Sequence, residues 1–196
     1  MPTPPEPLTF QLHFELDEVT PAVWRRILVP TSVRMSRLHD MIQAAMGWTN
    51  SHLHAFTVGD ARYGLRFDEH PEGEFDEQTV TVLQALRGHK VFTYEYDFGD
   101  GWEHTITVEA EFRTPHALKF ALCLAGDNAC PPEDSGGPGG FEYFLDALAD
   151  PGHEEHDDHV RWNGGDVFDR AAFSLIEVNA ALQKVRQRSS QGPENW

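Results

Sequence analysis

The sequence predicts an α+β domain with a mainly antiparallel sheet of about five or six strands, helices packed on one face and a helical C-terminal third. Three observations predict it. Apolar residues alternate with period two through the first two-thirds of the chain. Helical spacing dominates only after about residue 140. The strands join through turns or short helices rather than long crossovers.

The elements follow in order. Leu8, Phe10, Leu12, Phe14 and Leu16 share one face of a half-buried strand over 8–16. After Pro21, residues 22–29 read as a second strand that stops at Pro30. Ser36 stands where a helix N-cap belongs. Leu38, Met41, Ile42 and Ala45 then recur at i, i+3, i+4 and i+7, and Gly47 sits at the C′ position. Residues 53–58 read as a strand. The acidic, Gly- and Pro-containing stretch 59–78 reads as a long surface loop. A short helix over Val82–Arg87 stops at Gly88, and a hairpin follows at 91–98 and 102–112. A short strand lies near 119–124.

The prolines and glycines of 130–140 argue against helix and central strand there. Phe141, Phe144, Leu145 and Leu148 mark a helix that ends before Pro151. A short exposed helix is expected over 153–162. Asp169 is the expected cap of a last helix carrying Phe173, Ile176, Leu182 and Val185. One domain is therefore expected over 8–188, between a proline-stiffened flexible lead (1–7) and a disordered tail (189–196).

Composition bounds the function classes. The chain has 32 acids against 15 bases, a net charge of −17. A field of that sign repels phosphate backbones, which disfavours direct nucleic-acid binding and suits a basic protein partner. A small-molecule ligand is the other partner class. No apolar run is long enough for a membrane span, and residues 1–7 lack a signal-peptide pattern. Two cysteines are too few for a disulfide scaffold, so a reducing, cytoplasmic location is expected.

The hairpin carries the densest chemistry. Gly99-Asp100-Gly101 forms its turn. Phe92, Tyr94, Tyr96 and Phe98 alternate on one strand, and Trp102, His104, Ile106 and Val108 on the other. A three-residue loop would pair Phe98 with Trp102 and Tyr96 with His104, setting aromatic against apolar. Asp97, Asp100 and His104 resemble a metal or acid–base set. That register, however, sends Asp97 and His104 to opposite faces, leaving Asp100 and Trp102 most free to touch a ligand. His104 then reads as a hydrogen-bonded histidine beside the aromatic face.

Other candidates are weaker in spacing. His52 and His54 share a strand face and could chelate a divalent metal. Cys123 and Cys130, with His153, His156 or His159, could supply a zinc set, although the spacing is not that of a finger or ribbon. Glu133 and Asp134 would repel phosphate from the Gly-rich helix start and are expected to cap it or to pair with Arg25 or Arg26. No Gly-x-Ser-x-Gly elbow or P-loop occurs.

Together these motifs resemble the plasmid pRiA4b ORF-3-like family. The resemblance rests on Pro21-Ala-Val-Trp-Arg-Arg26, Leu38-His39, Gly47-Trp48, His52-Leu-His-Ala-Phe56, Tyr94 to His104, Cys130-Pro-Pro-Glu-Asp134 with Gly136-Gly137, and Asp150-Pro151, in that order over about residues 8–185. Family members often carry Cys where this chain has Ser135, which would remove one ligand from any thiolate cluster. The resemblance implies an α+β fold, and some members are labelled transposon resolvases or insertion-element passengers. Recombinase chemistry would need a Ser or Tyr nucleophile among several arginines, and arginine is scarce here.

The expected function is a binding or interaction module, associated by resemblance with mobile elements, whose ligand contacts come from Asp97, Asp100, Trp102, His104, Glu133 and Asp134. A metal-dependent hydrolase using His52, His54 and the hairpin residues is the alternative. A nucleic-acid accessory role is disfavoured by the charge.

Overall fold

Period-two alternation of apolar residues builds the sheet, and the computed structural model describes residues 6–65 and 73–189. The strands are β1 (Leu8–Leu16), β2 (Val23–Pro30), β3 (His54–Val58), β4 (Ala61–Gly64), β5 (Glu74–Asp76), β6 (Val91–Tyr96), β7 (Trp102–Arg113) and β8 (Leu122–Asp127). They form one sheet in the order β5-β4-β3-β6-β7-β1-β2-β8. Every pairing is antiparallel except β4 with β5, which is parallel.

One face is apolar and buried. Leu12 and Phe14, Ile27 and Val29, Phe56, Tyr94 and Ile106 all point into it. The other face carries polar pairs such as Gln11 with Glu109 and Arg26 with Glu109. The helices are α1 (Met35–Met46), α2 (Val82–Leu86), α3 (Gly137–Ala149), α4 (His156–Asn163) and α5 (Leu175–Ser189). Leu38, Met41, Ile42 and Ala45 of α1 are buried, and Gly47 ends the helix in the left-handed region that glycine tolerates. Helix α1 packs on β2, α2 and α5, and α5 also covers β8. Asn179 of α5 lays its amide against that edge strand, accepting from Cys123 N–H at 2.9 Å and donating to Cys123 C=O at 3.0 Å. The side chain thus occupies a backbone edge that would otherwise be open to another strand.

The structure corrects the sequence expectation in several places. The sheet has eight strands and is mixed, not five or six antiparallel ones. The two added strands are β4 and β5, inside the expected loop 59–78. Both are too short for an alternating pattern to stand out, four residues in β4 and three in the edge strand β5. Residues 66–72 of that loop lie outside the described residues. The C-terminal third is not simply helical, since irregular stretches at 128–136, 150–155 and 164–174 separate its helices. Helix α3 starts at Gly137, inside the segment expected to exclude helix. Gly136 takes the N-cap position, and Pro138 falls in the first turn, where a proline's missing N–H costs nothing. Ser174, not Asp169, caps the start of α5 by accepting from Glu177 N–H. Ser36 lies inside α1, which begins at Met35.

The lead and the tail fall largely outside the described residues; Glu6 and Pro7, at the start of the described chain, accept hydrogen bonds from Arg113 and Thr114. No helix among the described residues is long and apolar enough to cross a membrane.

Arg25 points into the apolar face with 3% of its surface exposed. Its guanidinium donates to the carbonyls of Ala45, Trp24, Asp127 and Asn128, joining the end of α1 to the exit of β8. Burial lowers its pKa, and the carbonyls take the place of water around the cation. Arg26, on the opposite face, pairs with Glu109. Neither arginine is paired with Glu133 or Asp134, contrary to the expectation from sequence. Arg25→Ala is expected to cost about 3–5 kcal/mol in urea unfolding, because four buried or part-buried carbonyls lose a charged donor. Arg26→Ala should cost about 1 kcal/mol or less by the same measurement.

Candidate metal centre

Three segments distant in sequence meet at the tip of the β6–β7 hairpin. They are the exit of α1 (residues 47–53), the hairpin loop (97–101) and the loop before α3 (130–136).

The hairpin register differs from the expectation. Tyr96 pairs with Trp102 and Tyr94 with His104, so the loop holds five residues, 97–101, rather than three. Asp97 explains the extra length. It adopts φ 53°, its carbonyl accepts from Gly101 N–H at 2.6 Å, and its Oδ1 accepts from Gly99 N–H at 3.0 Å. A carboxylate that satisfies its own turn stabilises the left-handed backbone. The two-residue slip keeps every strand side chain on its expected face. Phe98, however, leaves the aromatic row and lies exposed, with Arg62 over its ring.

Asp100 ties the hairpin to α3. Its Oδ2 accepts from Gly136 N–H at 2.9 Å. Gly137 approaches so closely that a Cβ there would lie 2.2 Å from the Asp100 carbonyl oxygen. That contact accounts for glycine at 137. The α1 exit joins through Trp48, whose indole N–H donates to Pro131 C=O at 2.9 Å. Glu133 completes the junction. It accepts from Thr49 N–H at 2.6 Å, from the Thr49 hydroxyl at 3.1 Å and from the Tyr96 hydroxyl at 3.1 Å. Burial, then the Glu133 carboxylate, holds the Tyr96 phenol well above its ordinary pKa, so it remains a donor.

His52 sits in the middle. Its Nε2 is 2.8 Å from Asp134 Oδ1 and 3.9 Å from Glu133 Oε2, and its Nδ1 is 3.5 Å from Asp97 Oδ2. One ligand atom from each of His52, Asp97 and Asp134 lies within 4.8 Å of the others. An imidazole with two carboxylates suits a divalent transition-metal or zinc cation such as manganese, iron or zinc.

The remaining candidates lie elsewhere. His54 is buried behind the cleft, with Nε2 2.8 Å from Glu77 Oε2, and stacks on His39 with ring centroids 3.4 Å apart. It does not share a site with His52, which precedes the strand rather than alternating with His54 along it. Trp102, at 1% exposure, and His104, fully buried, belong to the core beside Trp48. Cys123 and Cys130 flank Arg25, and burial raises both thiols above the ordinary range. Neither belongs to a three-ligand group among the described residues. Ser135 donates from its hydroxyl to Pro132 C=O at 2.9 Å.

A closed ring of hydrogen bonds supports the cleft from behind. The Gln43 amide donates to the Tyr94 hydroxyl at 3.0 Å, and that hydroxyl is 2.7 Å from His39 Nδ1. His39 Nε2 is 2.7 Å from Asn50 Oδ1, and Asn50 N–H donates back to Gln43 Oε1 at 2.9 Å. Asn50 Oδ1 can only accept, so His39 carries its proton on Nε2 and accepts from Tyr94 at Nδ1. The ring is fully satisfied only while His39 is neutral. Burial, then the neighbouring His54, depresses His39 to about 3. Burial likewise depresses His104 to about 3; its Nδ1 lies 3.3 Å from Tyr94 C=O.

A family model for plasmid pRiA4b ORF-3-like proteins matches residues 8–177, which takes in all three segments of the cleft. The chain belongs to the plasmid pRiA4b ORF-3-like family. This pRiA4b ORF-3-like chain is also 45% identical over 174 residues to the uncharacterized protein y4hQ of Sinorhizobium fredii, covering 88% of this chain and 89% of that one. Its fold matches the crystal structure of MM3350, a protein of unknown function from Methanosarcina mazei Go1, with a TM-score of 0.78 and 32% identity. That match covers 88% of this chain and 98% of the other.

Sequence inspection missed His39, Gln43, Thr49, Asn50 and Glu77 as site-supporting residues. The sequence signal for His39 is its place in the Leu38-His39 motif of the pRiA4b ORF-3-like resemblance. Glu77 had no signal, since it follows an edge strand inside a polar loop.

Both His39 and His104 bind fewer protons folded than unfolded between pH 6.5 and about 3. Stability therefore falls as pH drops below 6.5, by up to about 1.4 kcal/mol per pH unit for each. Urea unfolding at about pH 7 and pH 5 is expected to show a loss of about 2–4 kcal/mol. His104→Leu should remove about half of that loss. A stability equal at both values would contradict the buried neutral histidines.

Proposed function

We propose that this domain is a binding module whose cleft at the hairpin tip holds a divalent cation. The observation that carries this reading is the meeting of His52, Asp97 and Asp134, delivered by three separate segments with ligand atoms within 4.8 Å of one another. Glu133 is committed to Thr49 and Tyr96 and serves to place the loops rather than to ligate. Asp97 uses Oδ1 for its turn and keeps Oδ2 for the site. The residue types favour manganese, iron or zinc over calcium, which wants six to eight oxygens.

The mobile-element association implied by the family resemblance fits an accessory that binds rather than cuts. The carboxylates of the cleft would repel nucleic-acid phosphates. Two free thiols suit a reducing cytoplasm.

A metal-dependent hydrolase is the second reading. It is favoured by one feature: three protein ligands leave coordination positions open for water, as hydrolytic metal sites require. Turnover of phosphate- and carboxylate-ester panels that is lost on chelation and in Asp97→Asn would select it over plain binding.

Calorimetric titration of chelator-stripped protein with manganese or zinc is expected to give one site per chain. His52→Ala, Asp97→Asn and Asp134→Asn should each weaken it by about tenfold or more, while Cys123→Ser leaves it unchanged. An absence of stoichiometric binding by either metal would sink the proposal.

A further inference from the structure

Asp134 faces two ways. Beyond His52 it borders a second cavity, of about 340 Å³, between the loop before α3 and helices α3 and α4. Phe144, His159 and Trp162 supply its aromatic walls, and Asp134, Glu155 and Asp158 its carboxylates. Phe144 is buried, and the Trp162 ring meets it edge-on at 5.2 Å. Trp162 nevertheless remains 49% exposed, so a large aromatic surface stays open at the rim.

The charges around this surface are unbalanced. Asp158 pairs with Arg161 at 2.9 Å, and Glu155 lies 3.5 Å from His159 Nε2. One arginine thus stands against three carboxylates, the other two of which have only a histidine, His159 or His52, beside them. An anion would be repelled here. A neutral apolar ligand would strip water from carboxylates and offer them nothing in return. A planar or compact organic cation meets both features, lying against the indole while its N–H groups reach the acids. The net charge of −17 would also favour the approach of a basic macromolecule to this protein.

We propose that this cavity takes the guanidinium or ammonium head of an Arg or Lys side chain presented by a basic protein segment. It shares Asp134 with the metal site but does not depend on that site's being filled.

The test uses the full chain, kept in chelator, at near-physiological salt. The probe is an end-blocked tripeptide with a central arginine, compared with its citrulline isostere, which keeps the shape and loses the charge. Saturable binding of the arginine peptide is expected, weakened by about tenfold or more on replacement with citrulline. Trp162→Ala and Asp158→Asn should each weaken it similarly. Glu111→Gln, which removes one negative charge from the far strand β7, should leave it unchanged. Equal binding of the citrulline peptide would overturn the proposal. So would insensitivity to both cavity substitutions, equal weakening by Glu111→Gln, or lack of saturation. Tighter binding of free butylguanidinium than of the peptide would assign the cavity to a small amine and overturn the protein partner. Because chelator is present throughout, failure of the metal site leaves each of these outcomes intact.

Discussion

The Glu133 carboxylate is the interaction on which the cleft depends. It takes the Thr49 N–H and hydroxyl from one segment and the Tyr96 hydroxyl from another. A largely buried carboxylate must find such donors or lose the free energy of its hydration. Satisfying it therefore fixes where the α1 exit, strand β6 and the loop before α3 stand relative to one another. Asp134 follows directly after it and His52 lies three residues beyond Thr49, so both arrive at the same point. Asp100 on Gly136 and Trp48 on Pro131 fasten the margins of the same junction.

Behind the junction lies a hydrogen-bonded ring that is complete without a charge on His39. The ring through Gln43, Tyr94, His39 and Asn50 is complete with neutral histidine, and the same Asn50 lies in the segment that carries His52. An added proton on His39 would need an acceptor at Nδ1, where Tyr94 now donates. The buried network thus stiffens the loop beneath the cleft, as fully paired interior polar groups do. The acid–histidine chemistry is divided accordingly. His52 and three carboxylates face the cleft, while His39, His54 and His104 are enclosed.

How much of this was legible in the sequence depended on the range of the signal. The face of every central strand and the face of α1 followed from local periodicity, because burial on one side leaves its mark every second or every third and fourth residue. Strands β4 and β5 left no such mark; they are short pieces at one edge of the sheet, in a polar stretch. Glycine and proline at 136–140 read as helix breakers from sequence alone, but a proline in the first turn and a close approach at Gly137 make them the opening of α3. The alternation of aromatic residues predicts too short a hairpin loop, because it counts Asp97 as a strand residue when its carboxylate forms the turn. The convergence of residues 52, 97 and 134 is a tertiary fact, carried by hydrogen bonds between segments tens of residues apart. The same distance hid the pairing of Glu133 with Thr49.

Amide hydrogen exchange in Glu133→Leu tests the junction most directly. Loss of that acceptor is expected to raise exchange by about tenfold or more at the Thr49, Ser51 and Asp97 amides, while Leu12 and Ile27 in the sheet keep their protection. Unchanged protection at Thr49 and Ser51, with the sheet intact, would contradict the claim that Glu133 assembles the cleft.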